Sequence, residues 1–332
     1  MRNTRKMFRA ALPLAIVVMT ACQDTSAPSS LSTLNATKAL ADYQAMEDVR
    51  QSTGFQAFKL AAPQMAARMR FTGTDVALRS IPLISDGNRG KTFVYDAVAH
   101  NWVVDPARTG APANGVRFIT YEPNGAEPDP AKPIGHADLI DLGNSTPGIS
   151  LRLVVVEGTL TIVDYATTLE GSDGSGHVTV EGFIQNTRDK LDFDIDVTGQ
   201  QSGSVGRANI LFEMGIASRA FSVTGEVEGV NNNGVESGAV DLHVRHGSNS
   251  FTVDIANQSG TLSGDIKLNS SPFALVSGPA NQPVFKKPNG ENITGADALV
   301  LWHIADVSED VFDLFEDLIE PIGALVIWAF IL

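Results

Sequence analysis

Alternating apolar and polar residues dominate the second half of the chain. After Ser150, apolar side chains recur at every second position in segments such as "AVDLHVRHG" and "SFTVDIANQ", with glycine- and asparagine-rich turns between several of them. A period of two places one face of a strand in the core and the other in water, which is typical of antiparallel sheets. The segments lie too close together for the crossover helices that parallel strands need. The pattern therefore predicts a long antiparallel meander.

The middle of the chain predicts less regular strands. "KTFVYDAVAHNWVVDP" predicts a hairpin with Phe93 and Tyr95 on one arm. Seven of the 16 prolines then lie between Pro106 and Pro147. Short strands fit between these prolines as sheet edges or irregular excursions. The segment "PNGAEPDPAKP" predicts a loop that is too short to be a domain linker.

Both ends of the chain show helical periodicity instead. Residues 35 to about 65 predict two short helices with a break at residues 52–54, and Phe55 and Phe58 pack inward from the second. Near the C-terminus, apolar residues at spacings of four and three form one stripe along an otherwise acidic helix. The stripe consists of Val300, Ile304, Val307, Val311, Leu314 and Leu318.

These elements together predict a fold class. The apolar face of the sheet must be covered, and the two terminal helical segments are long and apolar enough to cover it. We therefore expect a β-rich α+β protein. It consists of a large curved antiparallel sheet, a meander or half-barrel, with N-terminal and C-terminal helices packed on its apolar face.

The first residues indicate export. Four cations occur among the first nine residues, no acid occurs in the first 21, and residues 10–19 are apolar. Ten apolar residues are too few for a spanning helix, which needs about 20, but they suit a secretory signal. Cys22, the single cysteine of the chain, follows at once. An ordinary secretion signal or a hydrophobic terminus with a stray cysteine remain alternatives.

The segment "MTAC", residues 19–22, resembles the bacterial lipobox, although methionine stands where that family usually has leucine. The resemblance implies a lipoprotein signal peptide over residues 1–21 and a lipidated Cys22. Residues 22–34 then form the lipidated cysteine and a flexible tether, and residues 35–332 a single β-rich domain. Two or three acyl chains give lasting anchorage without a spanning helix. Gln23 does not resemble the aspartate that retains some lipoproteins at the inner membrane. We therefore expect a bacterial cell-envelope location, with the outer membrane favoured.

The negative net charge argues against some classes of binding partner. The formal charge is −14, and removal of the first 21 residues, with four cations and no anions, takes it to −18. Nucleic-acid binding depends on lysine and arginine, so nucleic acid is an unsuitable partner. A basic face for anionic lipid headgroups is equally absent from the sequence. The expected membrane contact is the lipid anchor, and no protein partner is indicated.

Three strands place a glycine on their apolar face, at Gly182, Gly225 and Gly264. Such glycines let a sheet coil or another backbone approach closely. They also leave room for a lipid chain or another apolar small molecule. The order of helix, hairpin and meander loosely resembles the periplasmic lipoprotein carriers, whose half-barrels hold acyl chains. That resemblance implies a ligand between sheet and helices, with the three glycines as candidate lining residues.

Candidate metal ligands and catalytic groups are few. Asp192, Asp194 and Asp196 share one face of a strand, and three carboxylates are candidate Ca²⁺ ligands. Residues two apart on a strand are separated by about 6.6 Å, too far for all three to hold one ion. We therefore expect a solvated face and no metal. His243 and His246 are three apart, which points them to opposite faces of a strand.

The sequence contains no recognisable catalytic motif, so we expect no catalytic residue and no cofactor. The leading hypothesis is a non-enzymatic, membrane-anchored envelope lipoprotein that binds an apolar ligand or lipid. The alternative is a structural or interaction lipoprotein with a solid core. A hydrolase without a recognisable motif is third.

Overall fold

The computed structural model describes residues 36–66, 83–143, 148–172 and 174–319. The predicted signal peptide, Cys22 and the predicted tether lie outside the described residues. The helices are α1 (Ala36–Arg50), α2 (Thr53–Ala66) and α3 (Ala296–Ile319). In chain order the strands are β1 (Lys91–Asp96), β2 (Asn101–Val104), β3 (Gly115–Asn124), β4 (Glu127–Gly143), β5 (Gly148–Glu157), β6 (Leu160–Ser172), β7 (Ser175–Gln185), β8 (Lys190–Ser202), β9 (Val205–Ile216), β10 (Phe221–Asn232), β11 (Val235–His246), β12 (Asn249–Gln258), β13 (Thr261–Leu268), β14 (Ser271–Pro279) and β15 (Val284–Lys286).

The strands form one open sheet of 15 strands in the order β15 to β3 followed by β1 and β2. From β3 to β15 each strand pairs with its neighbours in sequence, as a meander requires. The predicted fold class is confirmed: the protein is β-rich and α+β, with one large curved sheet and helices from both ends of the chain.

One strand pair departs from the predicted antiparallel pattern. β1 pairs with β3 in parallel, with Phe93 opposite Phe118. The connection from β2 to β3, residues 105–114, passes the start of β1, where the N–H of Gly90 donates to the carbonyl of Gly115 (2.8 Å). β2 runs antiparallel to β1, so it ends where β1 begins. The loop stays at that end of the sheet, passes β1 and enters β3. β3 therefore runs parallel to β1 without a crossover helix.

The proline-rich segment is a hairpin, so the loop prediction was wrong. Pro123 of β3 lies opposite Pro128 of β4, and the turn between them contains Gly125 with φ of 66°. The β3–β4 register is irregular here, and β5 pairs with β4 only from Gly135 onward. Proline is tolerated at such one-sided, irregular positions because no regular ladder hydrogen bond needs its missing N–H.

The chain divides into two compact units. The β9–β15 unit comprises the described residues up to Met46 together with Val197–Leu314. The β1–β7 unit comprises Glu47–Asp196 together with the described residues from Phe315 onward. The prediction of a single domain over residues 35–332 stays a prediction.

The β1–β7 unit has an aromatic core beneath α2. Phe55 and Phe58 are buried as predicted, and α2 packs on β3 and β4. Tyr165 of β6 is fully enclosed, with its ring centroid 6.0 Å from that of Phe193. Its hydroxyl donates to the carbonyl of Leu318 in α3 (2.9 Å). A buried tyrosine is stable only with such a polar partner.

The predicted stripe of α3 is confirmed, since all six of its residues are at most 1% exposed. The strands of the β9–β15 unit confirm the period of two. On β11, Leu242 and Val244 are buried, whereas Asp241, His243 and Arg245 are exposed. Both elements bury one face in the way that the sequence pattern requires.

Candidate functional site

The three candidate glycines lie where protein atoms come close. At Gly182, an added Cβ would collide with the backbone and Cβ of Tyr165, its partner on β6. At Gly264, an added Cβ would collide with the backbone of Asp254 and Ile255 on β12. Glycine at both positions therefore permits close approach of the neighbouring strand.

Gly225 accommodates an aromatic ring. The ring of Phe212, its partner on β9, lies where a Cβ at Gly225 would be. The same ring contacts Phe312 of α3 edge to face, with centroids 6.2 Å apart. Phe212 is 4% exposed, so its ring fills the space between strand and helix within the β9–β15 unit. The proposed lining role of the three glycines stays a prediction.

The three strand aspartates are not brought together by the structure. Asp192 and Asp194 are exposed, and Asp192 pairs with Lys190. Asp196 accepts a hydrogen bond from Nε2 of His177 across the β7–β8 pair (2.7 Å). Among the described residues, no group of three or more His, Cys, Asp or Glu side chains is arranged to hold a metal ion.

A polar cluster with a buried centre and two half-buried members lies instead between α1, α3 and the end of β11, with all its residues in the β9–β15 unit. We call Asp42, Tyr43, His246 and His303 the histidine cluster. Asp42 on α1 is 2% exposed and His246 at the end of β11 is 0% exposed. Nδ1 of His246 lies 3.3 Å from Oδ2 of Asp42. The carboxylate therefore fixes the tautomer with the proton on Nδ1.

His303 of α3 brings a second imidazole into the cluster. Its ring centroid lies 6.3 Å from that of His246 and 6.1 Å from that of Tyr43. The Nε2 atoms of both histidines are enclosed and have no hydrogen-bond partner in the described part of the chain. Phe221 and Phe251 flank His246, with ring centroids at 5.3 and 6.2 Å. Unsatisfied buried nitrogens are rare in native proteins and call for an explanation.

The surroundings shift the pKa values of these groups. Burial lowers the pKa of His246; the hydrogen bond to Asp42 opposes that shift, whereas His303 and Lys38 add to it. Burial also lowers the pKa of His303, against the attraction of Asp306. Both imidazoles are therefore neutral at pH 7, because a buried cation loses its hydration.

The phenol of Tyr43 stays protonated. Burial raises its pKa, and hydrogen bonds to Asp310 and Asp306 raise it further. The ring of Tyr43 thus contacts His303, while its hydroxyl is hydrogen-bonded to the two aspartates of α3. The cluster contains no positive charge at neutral pH.

Polar contacts attach the first half of α1 beside the cluster. The ammonium of Lys38 donates to the carbonyl of Arg219 (3.1 Å), and the guanidinium of Arg219 donates to the carbonyl of Ala41 (3.5 Å). Gly247, directly after His246, leaves room for Lys38, because an added Cβ would lie 2.5 Å from its Nζ. The turn that follows β9 therefore holds α1 by hydrogen bonds, and the turn that follows β11 lies against Lys38.

The contact between Asp42 and His246 is enclosed, since their side chains are 3% and 0% exposed. Protons remain as a species that can reach it, through small openings of the fold. Sequence reasoning missed this site because Asp42 and His246 are 204 residues apart. One signal was present: His246 has the same parity as the buried Leu242 and Val244, which places it on the apolar face.

Within the described residues, none of the helices is both long and apolar enough to cross a bilayer. Comparisons of the chain with protein-family models, with curated proteins and with solved structures found no match.

Proposed function

We propose that this chain is a non-enzymatic lipoprotein of the bacterial cell envelope. Cys22 carries the lipid anchor, and the β-rich body serves as a structural or interaction module with a solid core. The basic start, the apolar run and the single cysteine directly after it support the anchor. The strongly acidic composition offers no basic face for anionic lipid headgroups, so it favours membrane contact through acyl chains instead. It also argues against nucleic acid as a partner.

The observation that carries the solid core is the ring of Phe212 over Gly225. A chamber for an acyl chain needs a lined cavity of about 300 Å³ or more. At Gly225 the space beside the strand is taken by Phe212, which reaches Phe312 of α3. This favours the structural or interaction module over the apolar-ligand carrier that the element order suggests.

The proposed lipid anchor is tested by removing the cysteine thiol at position 22 and by placing it at another position. The full-length chain is expressed in a bacterium with labelled palmitate and separated by detergent phase partitioning. We expect the wild type to be labelled and to enter the detergent phase, and globomycin to cause accumulation of its precursor. Cys22→Ser abolishes both labelling and partitioning. The matched control Cys22→Ser/Ser26→Cys restores the thiol four residues later and stays unlabelled, because lipidation requires the cysteine at its position after "MTA".

Two results would contradict the proposal. Label retained in Cys22→Ser, or wild-type protein free in the medium with an unmodified thiol, would remove the anchor. For the core, organic extraction of the Cys22→Ser variant, purified without detergent, should release no lipid or other apolar molecule in stoichiometric amount. A stoichiometric apolar molecule would instead favour the hypothesis of an apolar-ligand carrier.

A further inference from the structure

The histidine cluster suggests a use for its two unpartnered imidazole nitrogens. Each Nε2 is enclosed and has no acceptor among the described residues, so a proton added there would be buried without a hydrogen bond from them. The two rings are 6.3 Å apart, so protonation of both would place two cations side by side. Neutral imidazoles fit this space far better than charged ones.

The charged groups around the two rings do not reverse this preference. From α1, Asp42 faces His246 and offers one carboxylate, while Lys38 adds a positive charge. From α3, Asp306 faces His303. From β10 and β12, Phe221 and Phe251 offer no charge at all. The guanidinium of Arg219, in the turn between β9 and β10, is a further cation that donates to α1.

The first half of α1 is weakly held apart from these polar contacts. Among the described side chains of that half, Ala39 is the buried apolar residue, and Leu40 is 58% exposed; Ala45 and Met46 are buried in the second half. Segments with few buried apolar contacts open locally at a small free-energy cost. A change at Asp42 and His246 therefore acts on an element that is already easily detached.

From this geometry we propose that protonation of His246 and His303 releases the first half of α1 from the end of β11. The histidine cluster is thus an acid-sensitive latch. Neutral imidazoles hold α1 through the bond from His246 to Asp42, and acid opens it. This inference does not depend on the anchor at Cys22.

The direction of the pH effect follows from linkage. Both histidines have a lowered pKa in the folded protein, so the open form binds more protons than the closed form. The stabilisation of the closed form is complete above about pH 6.5, the ordinary histidine value, and is lost as pH falls below it. Opening should increase about tenfold per pH unit in this range for each proton taken up.

The test is hydrogen exchange on the full-length protein in detergent, corrected for the intrinsic pH dependence of exchange. Between pH 7.5 and pH 5.5, the α1 amides around Asp42 should lose about tenfold or more of their protection. The amides of β13 and β14, which contain no histidine, should keep theirs. The double variant His246→Gln/His303→Phe should abolish the pH dependence, and each single variant should reduce it, because one titrating histidine remains.

A matched control lies on the same strand. His243 is exposed and three residues before His246, so His243→Gln removes a histidine without touching the latch. It should keep the wild-type pH dependence of α1 exchange. A pH dependence that disappears in His243→Gln would overturn the proposal, as would one that persists undiminished in the double variant.

A measurement on the wild type keeps the proposal testable if a variant does not fold. Imidazole proton resonances followed by NMR give the pKa of each histidine. The assigned resonances of His246 and His303 should titrate below the ordinary value, and α1 resonances should change with them. If both histidines titrate near 6.5, or α1 stays unchanged throughout, the latch does not exist.

Discussion

The two units bury polar groups in different ways. In the β1–β7 unit, the polar groups next to the core are permanent ion pairs, such as Arg117 with Asp138 (2.7 Å) and Lys59 with Asp317 (2.7 Å). In the β9–β15 unit, the most deeply buried polar group is the neutral His246 with Asp42. Arginine keeps its charge at every relevant pH, whereas histidine changes its charge near pH 6.5. The cations of these two pairs therefore keep their charge in mild acid, whereas the enclosed contact of the β9–β15 unit contains a titratable histidine.

Two strand glycines, one in each unit, also lie beside different kinds of atoms. In the β9–β15 unit, the flexible side chain of Phe212 lies over Gly225. In the β1–β7 unit, the neighbouring backbone at Tyr165 lies against Gly182. A side chain can be shortened by mutation and a backbone cannot, so the two glycines should respond differently to compensating changes.

Removal of the Tyr165 side chain should have the largest effect. Tyr165 is enclosed in the β1–β7 unit, and Tyr165→Ala leaves a cavity and an unpartnered carbonyl at Leu318. We expect a loss of about 3–5 kcal/mol in the free energy of unfolding, measured by urea denaturation. Tyr165→Phe, the matched control, removes the hydroxyl alone and should cost about 1 kcal/mol. Equal losses for the two variants would show that the ring is not packed as described.

Substitution of the two glycines comes next. Gly225→Ala should cost about 1–3 kcal/mol because its Cβ collides with the ring of Phe212. In the background of Phe212→Leu, the same substitution should cost clearly less, since the ring is gone. Gly182→Ala should show no such rescue with Tyr165→Leu, because the colliding atoms include backbone. A double-mutant cycle on urea denaturation measures both couplings; rescue at Gly182 but not at Gly225 would refute the distinction.

The smallest effect should come from an exposed ion pair of the β1–β7 unit. Arg152 and Asp164 form two hydrogen bonds (2.8 and 2.6 Å), but the side chain of Arg152 is 48% exposed. Arg152→Ala should cost about 0–1 kcal/mol at low salt and less at 1 M NaCl. The cost should be the same at pH 8 and pH 5.5, because the guanidinium does not titrate. A loss that appears only at one of these pH values would contradict the contrast with the histidine cluster.

Local periodicity was sufficient to predict much of this fold. The apolar stripe of α3, the alternation on β11 and the two short N-terminal helices all follow from spacing along the chain. Each of these patterns involves residues a few positions apart, whose burial is set by the geometry of one helix or strand. Non-local features were beyond this reasoning. The parallel pairing of β1 with β3 depends on the path of a loop, and the bond between His246 and Asp42 joins positions 204 residues apart.

Proline misled the prediction for a physical reason. A proline-rich segment usually predicts a loop because each proline removes a ladder donor. In the hairpin of β3 and β4, the prolines lie in an irregular register that has a strand on one side only. The sequence shows that proline has no N–H to donate. It does not show whether a neighbouring strand lies there and needs that hydrogen bond.

The open sheet ends in very short strands, which bears on self-association. Its two outermost strands are β2, with four residues, and β15, with three. Free strand edges are templates on which a second molecule can add its own strand, and short edges offer too few hydrogen bonds for lasting addition. β15 is further covered by a bridge from Lys286 to Asn292, whose side chains are also hydrogen-bonded (3.0 Å). The short outer strands therefore give a second molecule few backbone hydrogen bonds to form. Neighbouring copies of the protein gain little free energy by pairing their sheets edge to edge.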